Sequence, residues 1–343
     1  YIDSILHICY NSHRIMKEVM SMNWSTLVTK QKMMRIVLLA LLPVALMSVY
    51  LFGWRHVVMG LVVALAGAVA EYLVMRTIQK EKTKVSEAVF VSAALFTLSL
   101  PPHTPMWIAV VGMVFGIVFG KAAFGGYGRN IFNPALVGRC FIYIAFPAQM
   151  TMEWAQPFAG LPGGFAHWLP QAVADVTASV TPIITLNAGG PAAPFGSLFL
   201  GTIAGSLGET SALLILLGGV FLVYKKVASW EIMVSTVGSA GILSAALYLS
   251  GVTPVSPVFT LLSGGLLFGA VFMATDPVSA PRDKTTQWLY GALIGIVTVV
   301  IRTFSLFTEG MMFAILIVNA LTPLLEMKVK QWKAKAPKKE VAA

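Results

Sequence analysis

Residues 35–54 read Arg35-Ile-Val-Leu-Leu-Ala-Leu-Leu-Pro-Val-Ala-Leu-Met-Ser-Val-Tyr-Leu-Phe-Gly-Trp54, with no charge after Arg35. A helix needs about 20 such residues to cross the ~30 Å hydrocarbon core of a bilayer, and this stretch has that length. Comparable apolar runs follow near 57–75, 85–100, 106–123, 131–149, 197–224, 231–250, 257–274, 287–304 and 310–327. The composition agrees: 57% of the 343 residues are hydrophobic and 11% are charged, against roughly 25% charged in a soluble chain. The mean hydropathy is +0.80. A soluble enzyme, a disordered chain and a disulfide scaffold are excluded, and the expectation is an all-α polytopic membrane protein of about ten transmembrane helices. The third run ends at Pro101-Pro102, and the fifth opens on Asn133-Pro134 and closes near Pro147, so both are expected to be broken.

The basic residues give the orientation. The chain carries +10, with 24 Lys and Arg against 14 Asp and Glu. With the N-terminus inside, all fall in segments on the inner side except Arg55 and Arg302 at outer ends and Arg139 within the fifth run. Such a bias predicts both termini in the cytoplasm and removes the need for a nucleic-acid partner. No small-residue cleavage site follows the first run, so a cleaved signal peptide is not expected. The resulting divisions are a cytoplasmic segment 1–34, a first five-helix unit 35–149, an outer loop 150–195, a second five-helix unit 196–327 and a basic cytoplasmic tail 328–343.

The units echo each other. Pro101-Pro102 and Asp276-Pro277 each precede a tryptophan, Trp107 and Trp288, then an apolar run and an asparagine, Asn133 and Asn319. Five spans per unit make the repeats point in opposite directions, a plan common in transporters.

Ionisable residues in or beside the runs are Glu71, Lys121, Arg139, Glu209, Asp276, Arg302 and Glu309. Charge in hydrocarbon is costly, so such groups pair, snorkel or line a polar path. Most sit near run ends, where snorkelling is the expectation. Glu71, Arg139 and Glu209 are the candidates for an ion path, with structural pairing as the other reading of Arg139 and Glu209. Glu209 follows Gly205-Ser206-Leu207-Gly208, where a helix can be interrupted. The glycine-rich turn Gly125-Gly126-Tyr127-Gly128 leads into Asn133-Pro134; no strand precedes it, so it is not a dinucleotide fingerprint. Two cysteines and five scattered histidines give no metal or haem spacing.

The loop 150–195 has no Lys or Arg and is rich in Pro and Gly. Within it lies Asp175-Val-Thr-Ala-Ser-Val-Thr181-Pro182. A threonine hydroxyl can be esterified and a carboxylate can take a proton, yet these residues alone read more simply as a polar turn.

Four blocks carry a resemblance: Phe124-Gly-Gly-Tyr-Gly-Arg-Asn-Ile-Phe-Asn-Pro-Ala-Leu-Val-Gly-Arg139 with Phe146-Pro-Ala-Gln149; Gly205-Ser-Leu-Gly-Glu-Thr-Ser-Ala212; Met273-Ala-Thr-Asp-Pro-Val278; and Glu309-Gly-Met-Met312. Together they resemble the family of the Rnf D-type and Nqr B-type subunits, membrane components of ion-translocating NADH-linked oxidoreductases. The resemblance implies two inverted five-helix repeats, similar in plan to urea and ammonium transporters. It implies FMN phosphoester-linked to a threonine in a D-x-x-[ST]-x-A-T-like motif, which here matches Asp175 and places the flavin on Thr181. Ala178, Ser179 and Val180 depart from the pattern, and Thr177 is the alternative acceptor. It further implies a noncovalent riboflavin in the membrane part, a flavin transferase for maturation, other membrane and peripheral subunits of the Rnf or Nqr complex as partners, and residence in the inner (cytoplasmic) membrane. Length and the short N-terminal segment look more like the Rnf (ferredoxin:NAD) component; Trp288-Leu-Tyr-Gly291 and Lys32-Met33-Met34 look more like that of the Na⁺-translocating NADH:quinone oxidoreductase. The balance leans to an Rnf-type electron-carrying subunit coupled to Na⁺ or H⁺ movement. A small-solute channel and a scaffold that has lost its flavin are the rivals.

Overall fold

The computed structural model describes residues 28–79, 84–151, 154–170, 185–186, 190–305, 307 and 309–335. Six helices are long and apolar enough to cross a membrane. They are α1 (Lys32–Phe52), α2 (Arg55–Gln79), α4 (Met106–Gly120, continued by a 3₁₀ turn to Phe124), α9 (Trp230–Leu249), α12 (Lys284–Phe304) and α13 (Gly310–Lys335). Between them lie α3 (Ala88–Leu98), α5 (Pro134–Ala145), α6 (Pro147–Thr151), α7 (Phe195–Leu200), α8 (Ala212–Tyr224), α10 (Pro257–Leu262) and α11 (Leu266–Phe268, running into a π-helical turn Gly269–Met273). Strands β1 (Val28–Thr29) and β2 (Val85–Ser86) pair in parallel.

Leucines and isoleucines such as Leu61, Ile242 and Leu249 lie 68%, 75% and 83% exposed on the long helices. Apolar surface on that scale is stable against lipid, not water. The protein is a multi-pass, mostly helical membrane protein.

The four remaining apolar runs are not single long helices. The third and fifth stop early, as the prolines predict. The sixth splits into α7 and α8 around a non-helical stretch, residues 201–211, at the glycines Gly205 and Gly208. The eighth, expected to be continuous, breaks at Ser263-Gly264-Gly265. A Cβ at Gly265 would lie 2.6 Å from Glu209 Oε1, so the backbone there makes room for that carboxylate.

Broken helices inside a bilayer must satisfy their exposed backbone groups within the protein. Here they satisfy each other. Gly208 N–H donates to the carbonyl of Leu98 (2.6 Å) and Leu207 N–H to that of Leu100 (3.1 Å), at the end of α3. Asn133 caps α5 by accepting from Ala135 N–H (3.0 Å) while its amide nitrogen donates to the carbonyl of Met273 (3.4 Å). The Leu98, Leu100 and Met273 contacts join the first half of the chain to the second.

The turn between α1 and α2 sits against 154–170: Trp54 and Arg55 N–H groups donate to the carbonyls of His167 and Trp168. The Arg55 guanidinium donates to the carbonyls of Pro102 and Thr104, placing the loop after α3 at that same end. β1, β2 and the Arg35–Glu87 pair (2.5 Å) gather at the end where α1 begins and α2 finishes.

Helix α4 meets α5 closely because glycine faces backbone. At Gly116 a Cβ would run into the carbonyl oxygen of Pro134. The echo between the asparagines is not a structural equivalence: Asn133 is a helix cap, whereas Asn319 lies well inside α13, buried, accepting from the Tyr290 hydroxyl (2.5 Å).

Candidate functional site

Two buried polar groups lie within the bundle. In the first, Arg139 of α5 is 3% exposed and donates through Nη1 to Glu209 Oε1 at 2.8 Å. Its Nη2 donates to Glu309 and reaches the Ser206 hydroxyl at 3.4 Å. Glu209 comes from the non-helical stretch before α8, and Glu309 from the residue preceding α13. Arg302 of α12 lines the same small cavity with Gly265 and Gly269. It is 8% exposed and donates from Nη1 to the carbonyls of Thr260 (3.0 Å) and Ser263 (3.2 Å), which α10 leaves open at its C-terminus. Two cations and two carboxylates thus meet where the first and second halves of the chain cross, and they balance.

In the second group, Glu71 of α2 forms an ion pair with Lys121 at 2.8 Å, both almost fully buried. The Ser86 hydroxyl joins them, donating to Glu71 Oε1 at 2.9 Å and accepting from Lys121. Beside this pair runs a narrow cleft lined by Lys121, Tyr127, Asn130, Asn133, Thr275 and Asp276, with apolar walls from Val91, Leu95, Leu222 and Phe272. Burial pushes the Asp276 carboxyl upward in pKa; the Ser279 hydroxyl (3.0 Å), the Val278 N–H (3.4 Å) and the Lys121 charge oppose that shift. The glycine-rich turn forms one rim of the cleft with Gly125, Gly126 and Gly128 at φ of 97°, 95° and 84°, a left-handed path that suits glycine.

The cleft encloses about 40 Å³; its cation, Lys121, is paired with Glu71, and the half-buried Asp276 carboxyl stands among its other lining residues.

The predicted site residues therefore fall into three places. Arg139 and Glu209 are brought together and directly paired; Glu71 belongs to the second group; Thr181 and Asp175 lie outside the described residues. Snorkelling fails for Lys121 and Arg302, which are 1% and 8% exposed. Lys121 is held instead by Glu71 and Ser86, and Arg302 by the carbonyls of Thr260 and Ser263. Glu309 is visible in the sequence as an ionisable residue at a run end, but its partner is 170 positions away and no local spacing reveals it.

The chain is thus a multi-pass bundle of whole and broken helices with charges paired across the breaks. Residues 20–335 match the NQR2, RnfD, RnfE family, and the chain belongs to that family. It is 42% identical over 261 residues to the B subunit of the Na(+)-translocating NADH-quinone reductase of Pseudoalteromonas atlantica, covering 73% of this chain and 61% of that one. The B subunit of the same reductase from Ectopseudomonas mendocina is 42% identical over 264 residues, and that from Yersinia pestis 39% over 258, with the same coverage. The chain spans about three-fifths of the length of the curated relatives it matches.

Proposed function

We propose that this protein is an electron-carrying membrane subunit of an Na⁺-translocating NADH:quinone oxidoreductase, the counterpart of the B subunit in its relatives. The observation that carries the reading is the 42% identity to a protein of that name over 73% of the chain. These relatives favour the quinone-reductase reading over the Rnf-type reading towards which length leans. In this reading the chain works beside other membrane and peripheral subunits, since its relatives are named as parts of a larger reductase. It lies in the cytoplasmic membrane with both termini inside.

FMN esterified to Thr181, with Asp175 near it in sequence, is the redox group of the proposal; the motif and the family support it. A flavin transferase makes the bond. When bound, the flavin supplies one-electron transfer, and the protein supplies position, polarity and exclusion of water. A noncovalent riboflavin in the membrane part is the second flavin of the proposal, supported by the family. The paired groups Arg139–Glu209–Glu309 and Glu71–Lys121 hold charge inside the bundle at low cost, which a path for a cation through this protein requires.

The packing supports two inverted repeats of five spans. α2 packs on α3 and α4, and α4 on α5; in the same order α9 packs on α10 and α12, and α12 on α13.

The test is complementation. Membranes of a host lacking its own B subunit, supplied with this chain and the transferase, are expected to regain Na⁺-stimulated NADH:quinone activity. Recovery of ferredoxin:NAD activity alone, in a host lacking the Rnf counterpart, would return the reading to the Rnf type.

A further inference from the structure

Residues 154–170 are tied to the α1–α2 turn at several points. Phe158 N–H donates to the carbonyl of Leu51 (2.9 Å), the Tyr50 hydroxyl to that of Gly160 (3.1 Å) and the Trp54 indole N–H to that of Phe165 (2.8 Å). With the bonds from Trp54 and Arg55 to His167 and Trp168, they fold the segment back against the end of α1. It lies level with the last turn of that helix, because its glycines meet helix backbone and ring directly. A Cβ at Gly164 would run into the Val49 carbonyl, and one at Gly163 would lie 2.7 Å from the Tyr50 ring.

The face that the segment covers is a lipid-facing one. Leu39, Leu42 and Leu46 are exposed on α1 at helical spacing, and Tyr50 is the next position of that stripe. Tyr50 packs on Gly163 and, at 6.0 Å between ring centroids, on Phe165, so the segment continues the stripe. Depth gives the same answer. From Arg35 to Phe52 the helix rises ~26 Å, short of the ~30 Å hydrocarbon core, so what lies beside its last turn sits at the edge of that core.

The side chains suit that level. Residues 154–170 contain no Asp, Glu, Lys or Arg. Leu161 is 90% exposed, and Phe165, Trp168 and the neighbouring Trp54 are exposed too. A leucine and three aromatic rings presented together on an uncharged segment are stable at a lipid interface and costly in water. Arg55, at the same turn, gives its guanidinium to the carbonyls of Pro102 and Thr104.

We propose that residues 158–168 are an interfacial insertion: Leu161, Phe165 and Trp168 enter the lipid leaflet at this end of the bundle and make up for the short reach of α1. The ligand is the lipid surface itself, and neither flavin nor quinone enters the argument.

The experiment uses the full chain with Cys9→Ala and Cys140→Ala, carrying one spin-labelled cysteine in place of Leu161 or Phe165, in vesicles of phosphatidylethanolamine and phosphatidylglycerol. Leu46→Cys in the same background is the lipid control, and Lys330→Cys, at an exposed charged position, the water control. Electron paramagnetic resonance reads collisions with oxygen, which concentrates in lipid, and with a water-soluble nickel chelate present on both sides of the vesicles. Labels at 161 and 165 are expected to meet oxygen as often as the Leu46 label and to lose most of the nickel collisions seen at Lys330. Nickel collisions at both positions closer to the Lys330 value would put the segment in water and overturn the proposal. Loss of both kinds of collision would give the surface to protein, a second copy of the chain, and overturn it as well. Leu161 is almost fully exposed, so its replacement leaves the packing against Tyr50 untouched, and the Leu46 label reports whether the background still spans the bilayer.

Discussion

Arg139→Met keeps an apolar stem in α5 and removes the guanidinium that Glu209 and Glu309 share. At 2.8 Å and an effective dielectric of ~20, the Arg139–Glu209 attraction is about 6 kcal/mol before desolvation. Removing one partner of a buried pair costs roughly 3–5 kcal/mol net, because the remaining charge stays buried without compensation. Glu209→Gln leaves Arg139 bound to Glu309 and costs less, about 1–3 kcal/mol. Once the guanidinium is gone, Glu209→Gln removes a stranded charge, so the double variant is expected to be more stable than the sum of the single losses by at least ~1 kcal/mol. The assay is reversible unfolding of the purified chain in mixed micelles, followed by tryptophan fluorescence and circular dichroism. Losses that add to within about 0.5 kcal/mol would refute the claim that these residues act as one group.

Gly265→Ala pushes on the Glu209 carboxylate and is expected to destabilise the protein by about 1–3 kcal/mol in the same unfolding assay, with Glu209→Asp in the same chain recovering part of the loss. Gly116→Val drives a side chain into the Pro134 carbonyl and should cost more than Gly128→Ala, whose added Cβ meets nothing within 4 Å although its φ of 84° carries strain; equal losses would show that the α4–α5 contact is not tight.

Much of the fold was legible because a bilayer imposes a length. Arg35–Trp54 and the runs at 57–75, 231–250, 287–304 and 310–327 all correspond to single long helices, since each is long, apolar and unbroken. Prolines located the early ends of α3 and α5. The break at Ser263–Gly265 was hidden because the carboxylate packed against it, Glu209, is far off in sequence, and glycines inside an apolar run read equally as close helix packing. The site was half legible for the same reason. Arg139 and Glu209 stood out as charges in broken segments, whereas Lys121, Arg302 and Glu309 looked like snorkelling ends. Whether a charge at a run end reaches water depends on what packs over it, and that is a property of tertiary structure. The flavin attachment at Thr181 rests on motif and family.

The most direct test of the flavoprotein reading is in-gel flavin fluorescence of the full chain, made with its flavin transferase and run under denaturing conditions, with the peptide spanning Asp175–Pro182 then weighed. A flavin on Thr181 gives a fluorescent wild-type band, a peptide heavier by one FMN ester, and loss of both in Thr181→Ala. A dark wild-type band, with the transferase active on a control substrate, would contradict the flavoprotein reading and favour a transporter or scaffold.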